Sequence, residues 1–192
     1  MRIGDPADEP GRLTTLSQQS KDMIKFLRGL RAVREYTREP IPDGIVRDIL
    51  EVGRWSGSAS NAQPTEVVVV RDQEVRQKIA DGGARPAAGA PLALVIVTPG
   101  NADRHDLEVF DDGRLAERLL LAARAHGLGG NIATLKGQGP NTIREALGIP
   151  TEKRIWGVVT IGHVDEEARK ARPPRPTAGR KPSAAFAHWD RY

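Results

Sequence analysis

The chain has 192 residues, no cysteine, four histidines, and 29 Lys and Arg against 25 Asp and Glu, a formal net charge of +4. That length suits one ordinary domain with a real core; the missing thiols exclude disulfides, iron–sulfur ligation and cysteine nucleophiles, and the scattered His105, His126, His163 and His188 lack metal-site spacing, so no metal is expected. No apolar run approaches a membrane span, and an N-terminus carrying Asp5, Asp8 and Glu9 is no secretory signal, so the expected location is the cytoplasm.

Residues 1–15 are rich in Gly, Pro and acids without apolar periodicity and read as disordered, leaving 16–192 as the folded domain. Ser20 then reads as the N-cap of a helix carrying Met23, Ile24, Leu27 and Leu30 and ending near Gly29. Asp43 reads as the cap of a second helix with Ile45, Val46, Ile49, Leu50 and Val52 on its apolar side. A loop over 53–60 leads to Val67-Val68-Val69-Val70, a β-branched run that predicts a buried strand. Asp72 would cap a charged helix, and the Gly, Pro and Ala of 82–91 read as a mobile loop. Residues 92–98 predict another buried strand, Asp111 or Asp112 the start of a helix ended by Gly127, Ile132 a short strand, 142–147 a helix, and 155–161 a third confident strand. Strands separated by helices imply a mixed α/β or α+β fold.

Six basic and no acidic residues fall between Arg169 and Lys181, more than the whole net excess. Pro173, Pro174, Pro176 and Pro182 interrupt that stretch, so it cannot be a basic recognition helix and reads as a solvated arm. There is no Ser-His-Asp order, no paired catalytic carboxylates and no Walker pattern, and no Gly-x-Gly-x-x-Gly follows a strand, which disfavours a Rossmann domain.

Two clusters carry more specific chemistry. Arg31 and Arg34, in Arg31-Ala32-Val33-Arg34-Glu35-Tyr36, offer guanidinium forks that grip phosphate bidentately; Ser58, Asn61 and Gln63, in Ser58-Ala59-Ser60-Asn61-Ala62-Gln63-Pro64, offer hydroxyl and amide groups suited to a polar heteroaromatic ring. Each cluster alone could equally be surface charge or turn chemistry. Together with Gly127-Leu128-Gly129-Gly130 after an apolar helix, and Gly179-Arg180-Lys181-Pro182 before His188-Trp189-Asp190, they resemble the nitroreductase family of flavoenzymes over about residues 20–192. The family pattern is Arg-x-Ser-x-Arg-x-aromatic followed by Pro-Ser-x-x-Asn-x-Gln-Pro-Trp. Here Ala32 stands for its Ser, Gly57 for its Pro and Thr65 for its Trp.

The resemblance implies an α+β nitroreductase-like fold, with a central mixed sheet flanked by helices and a C-terminal arm wrapping a partner subunit. It further implies a homodimer with FMN between protomers, and transient NADH or NADPH as reductant. The implied reaction is a ping-pong reduction of nitroaromatic, quinone or related acceptors, with the hydride chemistry at flavin N5 and no catalytic side chain. FMN would be held by Arg31, the Ala32 and Val33 amides, Arg34, Ser58, Ala59, Asn61, Gln63, Gly129, Gly130 and the distal Arg180. His188-Trp189-Asp190 reads as an aromatic clamp and Trp55 as interface core. Two other readings stay open: a specialised branch of the same fold with a non-nitro substrate, and a basic binding protein without redox activity, for which the tail lacks interleaved aromatics.

Overall fold

The computed structural model describes residues 16–173 and 179–192; the readings made for residues 1–15, and for Pro174 and Pro176 in the arm, lie outside the described residues. Four strands form an antiparallel sheet in the order β1-β2-β4-β3: β1 Glu66–Val70, β2 Leu92–Thr98, β3 Gly129–Thr134 and β4 Arg154–Gly162. The mixed character expected of the sheet rests on one isolated parallel bridge, Ala32 to Gly130 at the β3 edge; all named strands pair antiparallel. Among the described residues six α-helices accompany the sheet: α1 Gln18–Arg28, α2 Asp43–Arg54, α3 Gln73–Asp81, α4 His105–Ala125, α5 Gly139–Leu147 and α6 Glu166–Ala171.

Side-chain alternation on β2 divides the interior. Leu92, Leu94 and Ile96 face α2 and α4, joining Ile49, Leu115 and Leu119. Ala93, Val95 and Val97 face the other way, toward Ile79 of α3 and Ile143 of α5. A strand buried on both faces reads as a continuous apolar run, which is why β2 was legible. β1 differs from its reading as a buried strand: it is an edge strand, with Val70 buried but Val69 exposed.

Local chemistry moves three boundaries. The α1 cap is Ser17, whose Oγ accepts from Ser20 N–H at 3.1 Å, so Ser20 sits in the first turn. At α2 the N-cap is Pro42, and Asp43 instead pairs with Arg71 at 2.5 Å. The helix expected from Asp111 or Asp112 begins at His105, because Glu108, in its first turn, accepts from the Gly100 and Asn101 amides. The 82–91 segment is not the loose loop that its Gly, Pro and Ala suggested. Ala84, Ala87 and Ala90 are fully buried around a 3₁₀ turn, and Arg76 clips the carbonyls of Ala87 and Ala90.

The 31–36 segment runs extended along the sheet. Val33 N–H donates to the Gly130 carbonyl at 2.8 Å, Thr37 N–H to His163 at 2.9 Å, and the Glu35 carbonyl accepts from Asp165 N–H at 3.1 Å. Tyr36 is buried between these attachments; its hydroxyl donates to the Val33 carbonyl at 2.5 Å and lies 2.9 Å from Thr160 Oγ1. Burial raises its pKa, so the phenol stays a neutral donor. Tyr36→Phe leaves the Val33 carbonyl one partner short in a buried place, and a loss of about 1–2 kcal/mol in urea unfolding is expected with little change in m-value.

Candidate functional site

The sheet attachment sets two arginines on either side of a buried pivot. Val33 is buried against β3 while Arg31 and Arg34 flank it, and both line an open cleft of about 650 Å³. Arg28 and Ala32 come from the same stretch, Glu117 and Leu120 from α4, Asn131 and Ile132 from β3, and Arg180 from the C-terminal arm. The three arginines that sequence placed at opposite ends of the chain are therefore brought together. Arg31 donates to the Arg28 and Leu30 carbonyls at 2.8 and 2.7 Å, closing the end of α1. The spacing of the family pattern would put its first arginine at Leu30, so Arg31 stands one residue later than the pattern requires.

Asn131 was not among the sequence candidates. It is 2 % exposed, lines the cleft, and its Oδ1 has no partner among the described residues. A buried amide oxygen without a donor is costly and marks a place where a ligand donor fits. The signal was an amide side chain in a strand otherwise of small and apolar residues. Gly129 and Gly130, beside it, are buried in β3, and their bare Cα atoms admit the chain itself. A Cβ on Gly129 would meet Val33 at 2.9 Å, and one on Gly130 would meet Leu120 at 2.4 Å and the Thr160 carbonyl at 3.0 Å.

Ser58, Ala59, Asn61 and Gln63 lie elsewhere. Ser58 and Gln63 line a second cavity of about 360 Å³ floored by Leu115 and Leu119; Ala59 lines a small neighbouring one, and Asn61 is exposed. Helix α4 stands between: Glu117 and Leu120 face the arginine cleft, whereas Asp111, Leu115 and Leu119 face the second cavity. Within one chain the two clusters do not meet. The loop is nevertheless tightly set, since Ser58 Oγ accepts from Gln63 N–H at 2.8 Å and Asp111 Oδ2 from Ala59 N–H at 3.1 Å. Ser60, Asn61 and Gln63 all hold positive φ, at 54°, 52° and 50°. Three left-handed residues in four positions store strain of the kind that concentrates at binding loops.

Behind this loop α4 buries three carboxylates, Glu108, Asp111 and Asp112. Glu108 pairs with Arg154 at 3.4 Å, and Asp111 with Arg114 at 3.4 Å. Asp112 Oδ1 has no partner among the described residues. Burial, reinforced by the Glu108 and Asp111 charges and opposed by Arg154, pushes the Asp112 carboxyl up to about 7.

With this geometry, the likeness to known proteins is specific. Residues 27–82, spanning the arginine segment and the 58–63 loop, match the model of the nitroreductase family. An NADH dehydrogenase of Thermus thermophilus is 29% identical over 174 residues, covering 71% of this chain and 84% of that protein. An FMN reductase [NAD(P)H] of Bacillus subtilis is 28% identical over 177 residues, covering 80% of this chain and 71% of that one. Among solved structures, the NADPH:FMN oxidoreductase from Vibrio harveyi complexed with NAD+ superposes with a TM-score of 0.73 at 25% identity, over 89% of this chain and 78% of that one. The arginine segment and the 58–63 loop thus match the nitroreductase family model, and the chain as a whole is similar to flavin and NAD(P)H oxidoreductases of that kind.

The Asp112 carboxyl is protonated in the fold up to about pH 7, whereas in the unfolded chain it ionises near pH 4. Its contribution to stability therefore falls as pH rises from about 4 to about 7 and is constant above. Asp112→Asn is expected to raise the melting temperature by roughly 2–8 °C at pH 8 and hardly at all at pH 4, as read by thermal denaturation across that range.

Proposed function

We propose that this protein is an FMN-dependent NAD(P)H oxidoreductase that reduces nitroaromatic, quinone or related acceptors in two successive half-reactions. The carrying observation is the convergence of Arg31, Arg34 and Arg180 with the unpartnered Asn131 amide oxygen in one cleft large enough for a nucleotide. Four lining arginines, Arg28 included, face one lining acid, Glu117. Such a concave cationic surface attracts a phosphate and gains charge-assisted hydrogen bonds from it. The names of the Bacillus and Vibrio relatives, an FMN reductase and an NADPH:FMN oxidoreductase, support FMN as the occupant.

When bound, FMN supplies the redox chemistry, taking a hydride from NAD(P)H and delivering electrons to the acceptor. The side chains have narrower tasks. Arg31, Arg34 and Arg180 bind the phosphate; Asn131 Oδ1 accepts from the ligand; the buried Val33 and Tyr36 hold the arginine segment against β3. Ala32 brings no hydroxyl to this surface, so its backbone amide is what remains for the ligand.

The 58–63 loop enters through a second copy of the chain. Its strained, preorganised amides sit on the far side of α4, out of reach of the cleft in their own protomer, and a homodimer supplies them from the neighbour. Unpartnered apolar surface supports that association: Met23, Ile24 and Leu27 on α1, Trp55 after α2, and Phe186 and Trp189 on the arm are all exposed. In this reading the arm lies across the neighbouring subunit.

Purified protein is expected to show flavin absorption bands at one FMN per chain and to oxidise NAD(P)H when a nitroaromatic or quinone is supplied; a protein that is colourless and stays so after incubation with FMN would overturn the reading. Arg34→Ala should weaken FMN binding by about 10- to 100-fold, measured by fluorescence titration. Asn61→Gly removes the amide while keeping the left-handed backbone, and it too should lose flavin. Mixed dimers of these two variants should regain one intact flavin site per dimer, which sites built within a single chain could not do.

A further inference from the structure

A third cavity, of about 300 Å³, lies outside the arginine cleft and shares no lining residue with it. Its walls include Tyr36, Pro91 and the 3₁₀ segment after α3, and three arginines, Arg38, Arg71 and Arg76, together with Gln73. No carboxylate lines it.

The four polar side chains are unequally engaged. Arg71 is committed, donating to Asp43 at 2.5 Å and to the Ile41 carbonyl at 3.0 Å. Arg76 spends Nε on the Arg71 carbonyl at 3.2 Å and Nη1 on the carbonyls of Ala87 and Ala90, which are neutral acceptors. Its Nη2 has no partner among the described residues, nor do the Arg38 guanidinium and the Gln73 amide. Asp72, whose charge favours the cationic form of Arg76, already caps α3 by accepting from Val75 N–H at 2.9 Å. Arg76 is thus a half-buried guanidinium whose hydrogen bonds all go to neutral carbonyls, and desolvation acts against its charge more than the Asp72 carboxylate supports it. Gln73 opens α3, so the positive end of a nine-residue helix adds to the same field.

We propose that this pocket binds a phosphate dianion, free or as the head of a small phosphomonoester, at a site distinct from the arginine cleft. Arg38 and Arg76 Nη2 supply forked donors, the Gln73 amide a third contact, and Arg71 a fixed positive charge braced by Asp43. The cavity accommodates a phosphate with a few carbons attached but is too small for a whole flavin nucleotide.

Isothermal titration calorimetry of the full chain, at fixed ionic strength balanced with sodium chloride, tests this with inorganic phosphate in one arm and glycerol 3-phosphate in the other. Titrations are run with FMN present and absent, so that failure of the flavin reading leaves the phosphate result interpretable. Saturable binding that persists with FMN bound is expected. Arg38→Ala should weaken it at least about tenfold with the melting temperature unchanged, because the side chain supports no contact in the fold, and Arg38→Lys should recover part of the loss. Arg34→Ala should leave it intact. Tighter binding of glycerol 3-phosphate identifies an ester as the ligand class, and equal binding identifies phosphate itself. No saturable binding in either arm, unchanged binding in Arg38→Ala, or loss in Arg34→Ala would overturn the proposal.

Discussion

The attachment of the 31–36 segment to the edge of the sheet, through isolated bridges at Ala32 and Tyr36, governs the rest of the molecule. Between α1 and α2 the chain has no helix to hold it, and its backbone groups must be satisfied elsewhere. The Val33 amide finds Gly130, the Glu35 carbonyl finds Asp165, and the Tyr36 hydroxyl closes back on Val33. This fit requires glycine at 129 and 130, because a Cβ at the first would meet Val33 and at the second Leu120. With Val33 and Tyr36 turned inward, Arg31 and Arg34 border a common cleft although their charges repel, and the arm returns Arg180 to the same place. Folding thus assembles like charges at one cleft, a cost that the proposed bound phosphate would offset.

Helix α4 has an equally firm consequence. Its apolar positions are shared between the sheet and α2, so it cannot move aside, and it separates the arginine cleft from the 58–63 loop. Each region carries an unusual local feature, a buried unpartnered amide oxygen in one and three left-handed residues in the other. In the proposed dimer the two regions would be joined by symmetry and not by rearrangement, since rotating a second copy into place costs no internal packing. The exposed apolar stripe of α1 fits the same picture, for a helix with no buried residue gains little from its own chain.

What the sequence revealed follows from how locally each feature is encoded. β2 was legible because burial on both faces leaves an unbroken apolar run, β4 because β-branched residues dominate Ile155 to Ile161, and the Asp72 cap because its side chain bonds three residues away. The start of α4 was not. Asp111 and Asp112 resemble N-caps by type, but the helix enters earlier, and the groups near its buried carboxylates, the Ala59 amide at Asp111 and Arg154 near Glu108 and Asp112, lie far away in sequence. The 82–91 segment misled for a related reason: alanines suit a loop, and also suit a close turn buried against α3. At the site, residue types were informative while their grouping was not. Nothing in the spacing of Arg34 and Ser58 says that a helix about fifty residues later will stand between them.

The net positive charge takes on a different meaning once located. A basic chain invites comparison with nucleic-acid binders, whose charges form an exposed stripe or patch along a long polyanion. Here Arg28, Arg31 and Arg34 border one concavity, and Arg38, after the inward turn at Tyr36, borders another. Eleven residues of chain therefore supply cations to two separate pockets, with a single buried phenol as the divide. Concavities of about 650 and 300 Å³ are of the size that takes small ligands. Arginines that border a concavity focus their field on what enters it, whereas the excess of basic residues in the sequence lies in the 169–181 stretch, of which Arg180 alone lines one of these two cavities.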